Sequence, residues 1–197
     1  SQRYIDRQQK ACRELAEEYF KENAYTTPNG SVIHIPDQSV DYDDLGLNMD
    51  LLWEDGGTLN AIFHYAPTSD QAGFPTTTQE YQLYAIHEGR RWPFEDYVRK
   101  VLGQDYPARE PVTDWTIYTI KAGEQTVVPI DLRELGMELP PGPYELVKEV
   151  SLQVGDTRYK KEYSVSFAIL DSALTDPNSA QKELENHNRL LNDQGEL

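Results

Sequence analysis

The chain has 197 residues, 34 acidic against 18 basic, and a formal net charge of −16. That sign repels a phosphate backbone and gives no counterion release, which argues against nucleic acid and anionic membrane surfaces as partners. Cys12 is the only cysteine, so an intrachain disulfide and a cysteine-rich zinc site are both excluded, and no apolar run approaches the roughly 18 residues needed to span a bilayer.

Residues 2 to 24 predict a helix, because Ile5, Cys12, Leu15, Ala16, Tyr19 and Phe20 recur at three- and four-residue steps among mostly charged positions. Thr26-Thr27-Pro28-Asn29-Gly30 ends it, and the bulk of Tyr19 and Phe20 favours docking of the stripe on a sheet over a solvated stalk. From Val32 the period switches to two and the segments shorten, as expected of an all-β sandwich. Val32 to Ile35 predicts a first short strand. Leu47, Met49, Leu51 and Trp53 alternate with Asn48, Asp50 and an off-pattern Leu52. Asp55-Gly56-Gly57 then turns the chain into Leu59, Ala61, Phe63 and Tyr65, a hairpin with one apolar face.

Pro67 to Thr78 reads as a loop, Tyr81 to His87 as a third major strand and Glu88-Gly89 as its turn. Trp92-Pro93 leads into Phe94, Tyr97, Val98, Val101 and Leu102, a helical spacing that Gly103 stops, so a short helix is expected inside the sheet order. Trp115 to Ile120 is expected to pair with Thr126 to Leu132 across Lys121-Ala122-Gly123-Glu124. Leu139-Pro140-Pro141-Gly142-Pro143 introduces the clearest strand: Tyr144, Leu146, Val150, Leu152 and Val154 share a face on which only Lys148 intrudes. After Gly155-Asp156, Tyr159, Tyr163, Val165, Phe167 and Ile169 return on alternate positions. The tail from Ser172 is polar, with Asp176-Pro177 as a helix start. The expected organisation is an N-terminal helical segment (1–30), a β-sandwich (31–171) and a polar C-terminal extension (172–197).

The region from about Leu47 to Ile169 resembles a bacterial immunoglobulin-like domain family of envelope proteins and lipoproteins. The resemblance rests on Ile120-Lys121-Ala122-Gly123-Glu124, then Leu139-Pro140-Pro141-Gly142-Pro143-Tyr144-Glu145-Leu146-Val147-Lys148 and the closing strand to Ile169. It departs at Glu145, where the family typically shows arginine, and at Gly89-Arg90-Arg91-Trp92, where the family has a compact Gly-Lys-Trp-like turn. The resemblance implies an immunoglobulin-like antiparallel sandwich, export and a non-catalytic role, and it transfers no functional residue. Gly142-Pro143-Tyr144-Glu145-Leu146 also looks like the Gly-x-Tyr-x-Cys run entering the penultimate strand of immunoglobulin domains, with Leu146 in place of the cysteine. That likeness implies a Tyr144 ring in the core and a hydroxyl bonded to backbone within Leu132 to Leu139.

Among polar residues, Asp41, Asp43, Asp44, Gly46 and Asp50 are the most suggestive group, since calcium needs several oxygens converging on a turn. Leu45 and Leu52 occupy the fifth and twelfth positions of an EF-hand register, so a solvated acidic loop fits better. His34, His64, His87 and His187 lack the i, i+4 spacing of a helical zinc motif, although a sheet could bring His64 and His87 together. Cys12 has no nearby histidine, no Gly-x-Ser-x-Gly elbow or glycine-rich phosphate loop occurs, and Glu17-Glu18 and Glu95-Asp96 point apart as helix neighbours. Trp53, Trp92 and Trp115 with the tyrosines offer a carbohydrate-stacking platform or core packing; the apolar-face position of Trp53 and the strand-opening position of Trp115 favour the core. No catalytic, metal-binding or cofactor-binding residue is assigned, and no cofactor is expected.

The expectation is a non-catalytic, extracellular or cell-envelope immunoglobulin-like module that acts as a spacer or contacts a protein or glycan. Its location implies export by a leader that this chain lacks, with a lipid-accepting cysteine just before Ser1 as the anchor to look for. The alternative is an enzyme or metal-binding protein with a site assembled from distant segments. A pocket gathering two or more of His64, His87, Asp43 and Asp44 would favour that alternative.

Overall fold

The computed structural model describes residues 24–26, 32–35, 41–54, 58–67, 74–107 and 116–170, together with Arg3. Apart from Arg3 and Ala24, the expected helix over 2–24 lies outside the described residues, as do the Asp55-Gly56-Gly57 turn, Trp115 and the tail from Ser172. In chain order the elements are β1 (Ala24–Thr26), β2 (Val32–His34), β3 (Leu47–Glu54), β4 (Thr58–Tyr65), β5 (Thr76–Thr78), β6 (Gln82–His87) and β7 (Arg90–Pro93). There follow a short helix α1 (Phe94–Asp96) that continues as a π-turn (Tyr97–Val101), β8 (Ile117–Thr119), β9 (Gln125–Asp131), a 3₁₀ turn (Leu132–Leu135), β10 (Gly142–Val154) and β11 (Thr157–Leu170).

The described residues are mainly β, in two antiparallel sheets. The small sheet has the order β3-β4-β9; the large one runs β1-β2-β11-β10, with β5 and β6 sharing the far edge of β10, β8 pairing β5, and β7 pairing β6. The period-two patterns decide which faces meet. Leu59, Phe63, Val128 and Ile130 of the small sheet and Leu146, Val150, Val165 and Phe167 of the large one belong to one core, and Phe63 and Tyr163 meet edge-on at 6.4 Å. Burying each such side chain contributes about 1.5–3 kcal/mol, enough for the alternation to fix register, because a one-residue slip would expose the whole set.

The β3–β4 hairpin has the expected apolar face, with Leu47, Met49, Leu51 and Trp53 buried and the off-pattern Leu52 exposed. Glu88 and Gly89 close the β6–β7 hairpin with φ of 51° and 70°. Two consecutive positive φ values give the turn a twist that matches the flanking strands. The expected inserted helix is present, burying Phe94, Tyr97 and Val98 and ending before Gly103 at φ 65°. Its second half widens to a π-turn in which Leu102 N–H donates to Tyr97 O at 3.0 Å. The β10–β11 hairpin has the expected register, Val154 opposite Thr157 across Gly155-Asp156.

Five expectations change. Ala24–Thr26, read as a helix end and turn, is strand, since Tyr25 and Thr26 suit a pleated edge and β2 offers one. The stretch read as a loop to Thr78 contains β5, and the residues after Gly89 form β7 before the helix begins. The β8–β9 hairpin does not form: β8 pairs with β5 and β9 with β4, so Lys121–Glu124 crosses from one sheet to the other. Backbone bonds from Ile120 N–H to Pro75 O and from Gly123 N–H to Tyr65 O, with Ile120 fully buried, hold that crossing. Tyr159, placed by alternation on the apolar face, is 50% exposed, because Thr157–Lys160 overhang the core. Since β2 reaches only Ala168–Leu170, the outer edge of β11 from Thr157 to Phe167 carries no strand among the described residues.

Candidate binding groove on the large sheet

The site begins with a split in the sheet. On one edge of β10, β6 pairs with Tyr144–Val147 and β5 with Val150–Ser151, which leaves Lys148 and Glu149 without a cross-strand partner on that side. The link between β5 and β6 turns its carbonyls inward, and Lys148, fully buried, donates from Nζ to Thr78 O and to Glu80 O at 2.6 Å. Burial pulls the Lys148 amine down to about 8, against a smaller upward pull from Glu80. Thr77, also buried, donates its hydroxyl to Glu149 O at 2.8 Å. The residue that intrudes on an apolar face in the sequence thus binds the backbone groups that the split leaves exposed to the core.

On the outer side the split forms an open groove with a cavity volume of about 590 Å³. Thr76 and Gln82 form one wall, Glu149 and Ser151 the floor, and Lys160 and Glu162 the other wall. Glu149 and Glu162 face each other in register, and Lys160 Nζ lies 3.5 Å from Glu149 Oε1. That pair is solvated and contributes little to stability, so its charges remain accessible to a ligand. Ile117 flanks the groove and is 68% exposed. Hydroxyls, an amide, carboxylates and an ammonium arrayed on rigid strands suit hydrogen bonding to an extended polar ligand.

The residues singled out in the sequence lie apart. Asp43 Oδ1 accepts from Leu45 N–H and Leu47 N–H, and Oδ2 accepts from Lys161 Nζ at 2.8 Å and Tyr163 Oη at 2.5 Å. Burial alone would raise the Asp43 pKa, but bonds from Lys161, Tyr163 and Leu47 outweigh it and hold the carboxyl below its usual value. Asp44 shares Lys161 at 3.0 Å. The loop is tight here: a Cβ on Gly46 would sit 1.9 Å from Ala66 O, so only glycine permits the approach. This group clamps the entry of β3 to β11. His64 lies 3.1 Å from Asp50, while His87 lies 3.7 Å from Glu88 with its ring 6.0 Å from Tyr97. The two histidines are therefore in different sheets, and neither joins Asp43 and Asp44. No group of three or more His, Cys, Asp or Glu side chains among the described residues is arranged to hold a metal ion.

Trp53 is buried in the core, and Arg90 lies 4.6 Å over the half-buried Trp92 ring. These two therefore form no shared stacking platform. Glu95 and Asp96 pair with Arg99 and Lys100 one turn on. Cys12, Glu17, Glu18 and His187 lie outside the described residues, and of His34 only the backbone is described. Tyr144 is buried, stacks on Phe167 at 5.6 Å, and donates its hydroxyl to Pro140 O at 2.5 Å. The acceptor lies four residues upstream, one position beyond the expected Leu132–Leu139 window, because the 3₁₀ turn occupies the start of that window and Leu139 and Pro140 lead directly to the strand.

No helix among the described residues is long and apolar enough to cross a membrane. Comparison with family models, curated proteins and solved structures gives no match.

Proposed function

We propose that the chain is a non-catalytic immunoglobulin-like module of the bacterial cell envelope or extracellular space that contacts a protein or glycan through the outer groove of its large sheet. The fold part of this reading is supported by the connectivity: β3-β4-β9 opposes β7-β6-β10-β11, the arrangement of an A-B-E sheet against a C′-C-F-G sheet. Tyr144 at the start of β10, bonded to backbone upstream, supports it further. The groove is the observation that carries the contact role, since it presents Gln82, Ser151, Lys160 and Glu162 on strands that need no rearrangement to bind. The alternative site has no such support, because His64, His87 and Asp43 each sit in a separate local contact.

Two measurements test this. Fractionation of cells expressing the full-length gene product should recover it in the envelope or medium; a cytosolic pool alone removes the localisation. Arrays of cell-wall glycans and extended peptides should show binding that Ser151→Arg abolishes by filling the groove floor. Binding indifferent to Ser151→Arg rules out the groove as the contact.

A further inference from the structure

The groove crosses the large sheet, and the register puts its most distinctive side chains in one row. Ile117 pairs with Thr78, Thr78 stands beside the Thr77–Val150 pair at the level of Glu149, and Glu149 pairs with Glu162. Thr77 and Val150 are buried, so alternation turns Thr78 and Glu149 to the outer face, and Ile117 and Glu162 with them. The row runs from a well-exposed aliphatic side chain, past a hydroxyl, to two carboxylates. Like charges directly opposite one another destabilise an antiparallel pair. Lys160 answers Glu149 alone, at 3.5 Å, and the Glu162 carboxylate has no hydrogen bond or ion pair to another described residue. Glu80 adds a third carboxylate to the lining from the β5–β6 link, while Arg158 stands farther along β11, opposite Gln153. In a protein of net charge −16, the field at the Glu149–Glu162 end favours a cation. Tyr81, the aromatic residue of the lining, is 8% exposed and offers a sugar little ring face.

We propose that the groove takes an extended peptide of a partner protein, with an aliphatic side chain on Ile117 and a lysine or arginine between Glu149 and Glu162. This rests on the reading of the groove as the contact surface, and it narrows the partner from protein or glycan to a basic peptide. Geometry sets the spacing. Three strand intervals of about 4.8 Å put Ile117 about 14 Å from Glu162, and an extended chain advances about 3.4 Å per residue. Residues four apart lie on one side of such a chain at about 14 Å, so the partner's apolar and basic positions are i and i+4, in either direction. Thr76, Thr78, Gln82 and Ser151 line the way between and can bond the intervening main chain.

The test selects displayed random peptides of about nine residues, about 30 Å when extended, on the full chain, and then measures each on Ser151→Arg, which fills the groove floor. Enriched peptides should carry an aliphatic residue and, four positions away, a lysine or arginine, and should lose binding to Ser151→Arg. Their affinity should fall about threefold in Glu162→Gln, as expected for the loss of one exposed ion pair. Glu162→Gln relieves a like-charge pair and so keeps the fold, and Glu124→Gln, an exposed carboxylate away from the groove, should leave affinity unchanged. Enrichment without a basic preference, enrichment of acidic peptides, or equal affinity for Glu162→Gln and wild type overturns the proposal. Glycans bound by the wild type and lost in Ser151→Arg, with no peptide enriched, overturn it while keeping the groove as the contact. Peptides of the expected pattern that bind Ser151→Arg as well as wild type remove the groove itself, and the proposal with it.

Discussion

The β10–β11 hairpin has two unlike halves. At the Tyr144 end its inward face is dry and aromatic: Tyr144 stacks on Phe167, Phe94 approaches at 6.3 Å, and one hydroxyl bond to Pro140 O completes the corner. Toward the tip the same face turns polar, with Lys148 holding the carbonyls of the β5–β6 link and Lys161 and Tyr163 holding Asp43. One half is stabilised by burial and shape, which change little with pH; the other depends on charges whose state changes with pH. Polar groups interrupt the apolar face here, with Val150 still in the core beyond Lys148, and the backbone and carboxylate oxygens among them are matched one by one.

The sharpest way to break the contrast is Tyr144→Ala. Removing a fully enclosed ring between Phe94 and Phe167 should cost about 4 kcal/mol in denaturant unfolding, with no dependence on pH between 5 and 9. A cost near 1 kcal/mol would show a corner that collapses around the cavity. Lys148→Met should cost about 2 kcal/mol at pH 7, since the apolar chain fits the space but two carbonyls lose their donor. Its pH behaviour separates it from the aromatic half. The folded amine titrates near 8 and the unfolded one near 10.5, so between those values the unfolded chain binds more protons and wild-type stability should rise with pH. Lys148→Met should be flat from pH 8 to about 9, before unfolded tyrosines ionise; a wild-type curve equally flat there would show that burial does not lower the Lys148 pKa.

Asp43→Asn should cost about 1.5 kcal/mol at neutral pH, because the bonds to Lys161 and Tyr163 lose their ionised acceptor. The Asp43 pKa is lowered in the fold, so its contribution is present above the ordinary carboxylate pKa and lost as pH falls through the folded value. Wild type and variant should converge once pH falls below the lowered folded value, and a constant difference in acid melts would assign the effect to the Asx turn alone. Tyr144→Phe keeps the ring and removes one hydrogen bond, so about 1 kcal/mol is expected. Smallest of all, sub-millimolar calcium should leave the melting temperature unchanged, since both Asp43 oxygens already hold two donors. A rise of several degrees would mean that the acidic loop opens to bind the ion.

The dry half was legible in the sequence and the polar half only in outline. Alternation from Tyr144 to Val154 and from Tyr163 to Ile169 is long enough to define both strands, and Gly155-Asp156 names the turn. Thr76–Thr78 is three polar residues after a loop; it becomes β5 because β10 and β8 present ladder groups from distant parts of the chain. Lys121–Glu124 has the composition of a hairpin turn, and nothing local distinguishes a turn that folds back from one that changes sheet. Lys148 stood out as an intruder, but its acceptors are main-chain oxygens about seventy residues away, which side-chain chemistry cannot signal. For the same reason the groove, made by a gap between strands, had no motif to announce it.

The outer edge of β11, which carries no strand among the described residues from Thr157 to Phe167, bears on how the molecule behaves in crowded or acidic solution. A bare ladder invites a second copy to add its own strand, the first step toward cross-β association. At neutral pH the net charge of −16 keeps copies apart, but with a sequence pI of about 4.5 that long-range repulsion vanishes in mild acid. Arg158, Lys160 and Lys161 remain cationic there, and they sit on the very strand whose outer edge carries no partner strand among the described residues. Two such edges brought together would press like charges against each other within the range where salt screens poorly. The hairpin tip thus carries its own short-range colloidal protection, which persists at the pH where that of the whole molecule fails.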